Sequence, residues 1–199
     1  LSVSIQVEII VFGRIGRNIV RAFAASPRRD IAIVAINDLA DIDTAAFLLE
    51  FDSVHGRLSQ PVTHDSNALK TPFGSVKYVS EHDPAAINWA ALGVDVVFEC
   101  TGIFTAADKA SVHLAGGAKK VLVSAPSAGA DMTVVYGVNH DKLQPNHNII
   151  SNASCTTNCL APIAYVLHRT CGIKQLFMTT NHSYTGDQRL LDAVHNDRY

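Results

Sequence analysis

Apolar residues fall in short, β-branched runs separated by stretches with helical spacing. Ile5–Phe12 predicts a strand, and Gly16–Ser26 predicts a helix with Ile19, Val20 and Phe23 on one face. Residues 31–36, IAIVAI, make a continuous apolar run of the kind buried on both faces of a sheet. A helix is expected over 44–49, a small antiparallel excursion in the turn-rich 61–79, and a further helix over 84–91. VDVVFE (94–99) reads as a strand, 106–115 as a helix and KVLVS (120–124) as a strand, with two more strands at 133–136 and 148–151. Strand–helix–strand alternation with short loops defines an α/β chain with a doubly wound, mostly parallel sheet.

Past Ser151 the pattern changes. A polar loop runs into a helix, then a strand is expected over 174–180 and a polar segment to Tyr199. Residues 1–151 are therefore expected to form one domain and 152–199 the opening of a second. One helix and one strand do not enclose a core, so the chain is expected to be a piece of a longer protein.

Composition narrows the function classes. Hydrophobic residues make up 48% and charged residues 17%, which supports a packed core rather than disorder. A net charge of −2 gives no reason to expect nucleic acid or an anionic membrane as partner. No apolar run approaches the ~20 residues that cross a bilayer, and residues 1–8 do not read as a secretion signal. The four cysteines, Cys100, Cys155, Cys159 and Cys171, are too few for a disulfide scaffold, so a reducing cytoplasm is expected. Only Cys155 and Cys159 are close in sequence, and no second ligand pair accompanies them, so no metal site is expected.

Two stretches carry chemistry. VFGRIG (11–16) follows a strand and opens a helix, with Asp38 at the end of the next strand. That is the layout of a dinucleotide site: Gly13 lets backbone approach a pyrophosphate, Gly16 lets helix pack on strand, and the helix N-terminus supplies N–H groups. An acid at 38 can bond both ribose hydroxyls and would repel a 2′-phosphate, and Leu39 offers no cation, so NAD is favoured over NADP. Val11 stands where the first glycine of the fingerprint belongs, and Glu8 places a charge in a strand that should be buried. The alternative is an ordinary tight strand–helix turn.

The second stretch is SNASCTTNC (151–159). Small polar residues precede an apolar helical run, which puts Cys155 at or near a helix N-terminus, where thiolate is favoured over thiol. His182, beyond the strand expected over 174–180, can return to that thiol as its base. The alternative is a small buried residue near a cap. Cys159, one turn on, is read as packing, Cys100 and Cys171 as core, and the remaining histidines apart from His82 as surface or structural.

These residues resemble the glyceraldehyde-3-phosphate dehydrogenase family over essentially the whole chain. The matching segments are FGRIGRN (12–18), INDL (36–39), FDSVHGRL (51–58), CTGIFT (100–105), GAKKVLVSAP (117–126), SNASCTTNCLAP (151–162) and HSYTGDQRLLD (182–192). The resemblance implies a Rossmann-type domain followed by the beginning of an α+β catalytic domain. It implies oxidation of D-glyceraldehyde 3-phosphate with inorganic phosphate and NAD, through a thioester on Cys155 with His182 as base. It also implies a cytoplasmic homotetramer. Gly13, Arg14 and Ile15 would meet the cofactor at the glycine turn, Asp38 the adenosine ribose, His82 the adenine region, and Thr101 and Ser124 the sheet's carboxyl edge. Ser154 and Thr156 would contact one anion, and Thr185 and Asp187 another. An Asn-Gly pair usual before FGRIGR is replaced by Ile10-Val11, and the apolar residue usual before the histidine by Asn181. The family continues well beyond Tyr199, so this polypeptide alone is expected to have little dehydrogenase activity. Three readings compete with catalysis on the triose: a truncated or degenerate homologue that binds nucleotide or partners, an erythrose-4-phosphate dehydrogenase, and a cysteine acyl-transfer enzyme that needs no nucleotide.

Overall fold

The computed structural model describes residues 4–183. In chain order its elements are β1 (Ile5–Ile10), α1 (Arg14–Ala25), β2 (Ile31–Asn37), α2 (Ile42–Glu50), β3 (Phe51–Asp52), β4 (Gly56–Arg57), β5 (Thr63–His64), β6 (Ala68–Thr71) and β7 (Gly74–Val79). There follow β8 (Val96–Glu99), α3 (Ala107–Ala110), α4 (Val112–Ala115), β9 (Lys120–Val123), β10 (Met132–Thr133), β11 (Ile149–Ser151) and α5 (Cys155–Cys171). The chain divides into two compact units, residues 1–162 and 163–199.

The first unit is built on a nine-stranded sheet in the order β10-β11-β9-β8-β1-β2-β7-β6-β5. Every pairing from β10 to β7 is parallel, and only β6–β7 and β5–β6 are antiparallel. The excursion expected over 61–79 therefore does not stand apart: its last strand docks parallel against β2 and extends the main sheet. From β1 the chain winds outward to β2 and β7, then returns to place β8 on the other side of β1. That reversal opens a crevice at the carboxyl ends of β1 and β8, where ligands of such sheets bind.

Both faces of the sheet are covered. Ile9, Ile33, Ile36, Val20 and Leu49 pack on one side, where α1 and α2 lie, and Ile10, Trp89, Val94 and Val97 on the other. Ile33 and Ile36 reach the same face because the β1–β2 register slips between Val7 and Glu8, so that Val7 meets Ile33 but Glu8 meets Ala35. Alternation along β1 puts Glu8 on the face of Ile10 and Val97, fully buried. Neither carboxyl oxygen makes a full hydrogen bond among the described residues. Burial, then the nearby Glu99, drives its pKa well above the ordinary range, opposed only by a weak contact with the Asn37 backbone. Glu99 is itself satisfied: its Oε2 lies 3.1 Å from Nε2 of the equally buried His113.

Several expected elements are corrected. The helix expected over 84–91 is one 3₁₀ turn, Pro84–Ala86, capped by Asp83. It stops there because Ile87 and Trp89 are drawn into the core and the Trp89 N–H donates to Gly116 O at 2.9 Å. A methyl on Gly116 would stand 2.7 Å from Trp89 Cδ1, so only a glycine lets that ring close on the sheet. The helix expected over 106–115 is broken into α3 and α4 at Ser111. The strand expected at 133–136 ends at Thr133, because Val135 N–H turns to the Asn139 side chain at 2.8 Å. No strand forms over 174–180: a strand exists by pairing, and nothing among the described residues pairs with this segment.

Cys171 and Cys159 are exposed rather than packed, and Cys100 is half-buried. In the second unit the described residues 163–183 comprise the rest of α5 and a segment without helix or strand, with Phe177 88% exposed. Among the described residues no helix is long and apolar enough to cross a membrane.

Two non-glycine residues hold left-handed backbone, Val11 at φ 63° and Ala153 at φ 59°. Both stand where a sheet strand hands over to a helix. For β-branched Val11 this conformation costs about 1–2 kcal/mol. It persists because Val11 N–H donates to Asn37 O at 2.9 Å. Val11→Gly is expected to raise unfolding stability by about 1 kcal/mol, after the glycine's extra unfolded-state entropy is subtracted. Urea unfolding followed by Trp89 emission measures this, and an unchanged or lower midpoint would refute the strain.

Candidate active site

The crevice at the carboxyl end of β1 is shaped by the turn Val11–Gly13. Gly13 is the N-cap of α1 with extended backbone (φ −68°) and no side-chain cap. The first N–H groups of a helix have no intrahelical acceptors, and no acidic residue lies in this first turn. An imagined Cβ on Gly13 would meet nothing nearer than Val11 Cγ1 at 3.6 Å, so the space over this turn is open. At Gly16 the same Cβ would lie 2.4 Å from Val11 O and 2.9 Å from Ile9 Cγ2. The two glycines thus do different work: one keeps the approach clear and the other lets the helix touch the strand. Such a cradle of uncapped N–H groups suits a pyrophosphate.

Asp38 follows β2 and ties the turn together. Its Oδ2 accepts from Phe12 N–H and its Oδ1 from Ala40 N–H. Arg14 and Ile15 are exposed at the start of α1, Ile15 by 50%. His82 is exposed. It is placed by a residue that the sequence reading passed over: Asn37 donates through Nδ2 to Glu81 O at 3.0 Å and accepts from Glu81 N–H at 2.8 Å. A buried asparagine at a strand's last position, next to Asp38, was the available signal.

On the other side of the crevice, Thr101 and Ser124 meet through Glu99. Thr101 N–H donates to Glu99 Oε1 at 2.7 Å, and Ser124 N–H donates to the Glu99 carbonyl at 3.0 Å. Thr101 Oγ1 in turn accepts from Ile103 and Phe104 N–H. Burial pushes the Cys100 thiol up to about 12, against a hydrogen bond from Ser124, so Cys100 is no nucleophile near neutral pH.

Cys155 is the first residue of α5, exposed, and follows β11 along the same carboxyl edge. Ser154 caps the helix, its Oγ accepting from Thr157 N–H at 3.0 Å. Ser154 also borders a cavity of about 450 Å³ shared with Thr105, Ser127, Thr133 and Ala153. Ser127 Oγ is buried there without a hydrogen-bond partner among the described residues. Thr156 is half-buried on the first turn of α5. Ser154, Cys155 and Thr156 are thus brought together. His182 belongs to the second unit, exposed, with Nδ1 3.0 Å from the Ser183 carbonyl. Thr185 and Asp187 lie outside the described residues. Among the described residues no three histidine, cysteine or acidic side chains are grouped to hold a metal ion.

A doubly wound sheet with an uncapped glycine turn, an acid closing the second strand and a cysteine opening a helix is the arrangement of a dinucleotide-binding α/β protein. Residues 5–107 match the family described as "Glyceraldehyde 3-phosphate dehydrogenase, NAD binding domain", and residues 154–199 match its C-terminal domain. The chain belongs to the glyceraldehyde-3-phosphate dehydrogenase family. It is 56% identical over 196 residues to a glyceraldehyde-3-phosphate dehydrogenase of Xanthobacter flavus, 55% to one of Cereibacter sphaeroides and 51% over 197 residues to one of Pseudomonas aeruginosa. Each alignment covers 98% of this chain but only 58–59% of the relative.

Proposed function

We propose that this chain supplies the NAD site and the nucleophile of an enzyme that oxidises D-glyceraldehyde 3-phosphate to 1,3-bisphosphoglycerate. The observation that carries the reading is Cys155 at the first position of a capped helix, on the sheet edge that also holds the Gly13 cradle. The helix dipole at that position favours thiolate. His182 takes the thiol proton and the thiolate attacks the aldehyde carbon. His182 returns the proton to the resulting oxyanion to give a hemithioacetal, and it takes that proton back as the carbonyl re-forms. NAD, when bound, supplies the acceptor for the hydride that leaves the same carbon. The carbonyl re-forms as a thioester on Cys155. Inorganic phosphate then attacks it and expels the thiolate, giving an acyl phosphate. Ser154 and Thr156 are suited to hold the attacking phosphate beside the sulfur, and Thr185 and Asp187 to serve the second anion. Asp38, Gly13, Arg14 and Ile15 hold the adenosine and pyrophosphate end, His82 flanks the adenine, and Thr101 and Ser124 border the nicotinamide end. The whole protein would act as a cytoplasmic homotetramer, like the family it resembles.

A second reading, a family member that has lost catalysis, is favoured by the strained Val11 in the cofactor turn. Alkylation of Cys155 by iodoacetamide across pH separates the two. The expected midpoint lies at least one unit below the ~8.5 of free cysteine, and saturating NAD shifts the rate. A midpoint at the free value that ignores NAD would sink the catalytic reading.

A further inference from the structure

The turn that delivers Cys155 is strained, and two side chains outside the reacting groups hold it. Ala153 has φ 59°, a conformation an L residue keeps only when its surroundings impose it. Upstream, Ser151 is fully buried at the end of β11. Its Oγ donates to the Ala125 carbonyl at 2.8 Å, on the loop after β9, and accepts from Ala153 N–H at 3.1 Å. One hydroxyl therefore clamps the strained residue to the neighbouring strand's exit. Downstream, Asn158 reaches back one turn: its Nδ2 donates to Asn152 O at 2.7 Å and to Ser154 O at 3.0 Å. The two braces enclose residues 152–154 from both sides, and Cys155 is the next residue. Asn152 N–H is pinned as well, donating to Val123 O at 2.9 Å.

We propose that Ser151 and Asn158 are positioning residues that hold the Ala153 turn in its left-handed form and thereby fix the Cys155 sulfur over the helix N-terminus. This rests on Cys155 being the nucleophile. With the brace gone, the turn relaxes toward ordinary backbone, the sulfur leaves the axis of the N–H groups, and thiolate loses its stabilisation. The hydrogen bonds named for both residues go to backbone, so their effect on the sulfur runs through backbone geometry.

The test is the alkylation rate of each cysteine against pH, resolved by peptide mass, in the parent chain and in Ser151→Ala, Ser151→Thr and Asn158→Ala. Loss of one buried hydrogen bond corresponds to about tenfold. Ser151→Ala is therefore expected to slow Cys155 alkylation at pH 7 about tenfold and raise its midpoint by about one unit, with Asn158→Ala giving about threefold. Ser151→Thr, which keeps the hydroxyl, restores the parent profile, and Cys171 keeps its rate throughout. Trp89 emission checks folding, and if Ser151→Ala does not fold, Asn158→Ala, on a half-exposed position, carries the test. An activated Cys155 in the parent with an unchanged profile in the folded variants overturns the brace while leaving the nucleophile standing. A parallel change at Cys171 also overturns it, because that marks general loosening. An ordinary Cys155 in the parent removes the nucleophile itself, and the brace with it.

Discussion

Replacing Glu8 by leucine should stabilise the protein by about 2–4 kcal/mol at neutral pH, the scale on which apolar residues replace poorly compensated buried charge. Glu8 is fully buried beside Glu99 with neither oxygen in a full hydrogen bond among the described residues. The sign follows from its raised folded-state pKa. The folded chain keeps the proton after the unfolded chain, titrating near 4.5, has released it. Proton binding by the folded state therefore supports the fold fully below that value, and the support drains away as pH rises toward the folded pKa. Carboxylates with lowered values, such as Asp65 and Asp131, contribute the opposite dependence at low pH, so the difference between the two chains is the quantity to follow. Urea midpoints of parent and Glu8→Leu should differ least at and below about pH 4.5 and separate as pH increases. Curves that stay parallel from pH 4 to 8 would show that folding does not raise the Glu8 pKa.

The second large effect divides the two glycines of the cofactor turn. Gly16→Ala puts a methyl 2.4 Å from Val11 O and 2.9 Å from Ile9 Cγ2. Backbone on one side and a buried strand on the other cannot yield, since Val11 N–H is bonded to Asn37 O and Phe12 N–H to Asp38. Helix α1 must back away from β1, at about 3 kcal/mol, the upper range for overpacking. Gly13→Ala meets only Val11 Cγ1 at 3.6 Å and already has φ −68°, so the fold should lose less than about 1 kcal/mol. Its methyl nevertheless enters the space a pyrophosphate needs. Calorimetry with NAD should show at least a tenfold weaker Kd for both variants, with the unfolding midpoint lowered only for Gly16→Ala. Undiminished NAD affinity in Gly13→Ala would mean that the ligand does not lie against this turn.

The sequence carried the sheet because a buried parallel strand writes itself as an unbroken apolar run, as at 31–36 and 94–99. It carried the strand–helix–strand turn because Gly13, Gly16 and Asp38 sit at the spacings such a unit brings together. It failed where tertiary contact outweighed local preference. The alanine-rich 84–91 has the composition of a helix, yet burying Trp89 and Ile87 unwinds it after one turn. It was also silent on Asn37, Ser151 and Asn158, since a small polar residue near a strand end reads the same whether it fills a turn or braces a site. Only the hydrogen bonds across the fold, such as Asn37 to Glu81 over 44 positions, separate these cases.

Gly16 and Gly116 set how closely covering segments approach the sheet on its two sides, one against Ile9 and the other against Trp89. At each place a single hydrogen atom marks the limit of tolerated variation. Trimming a facing side chain relieves neither, because the backbone oxygens of Val11 and Ile87 stand 2.4 and 2.8 Å from the added carbons, so both positions should stay glycine wherever this sheet keeps its covering segments so close.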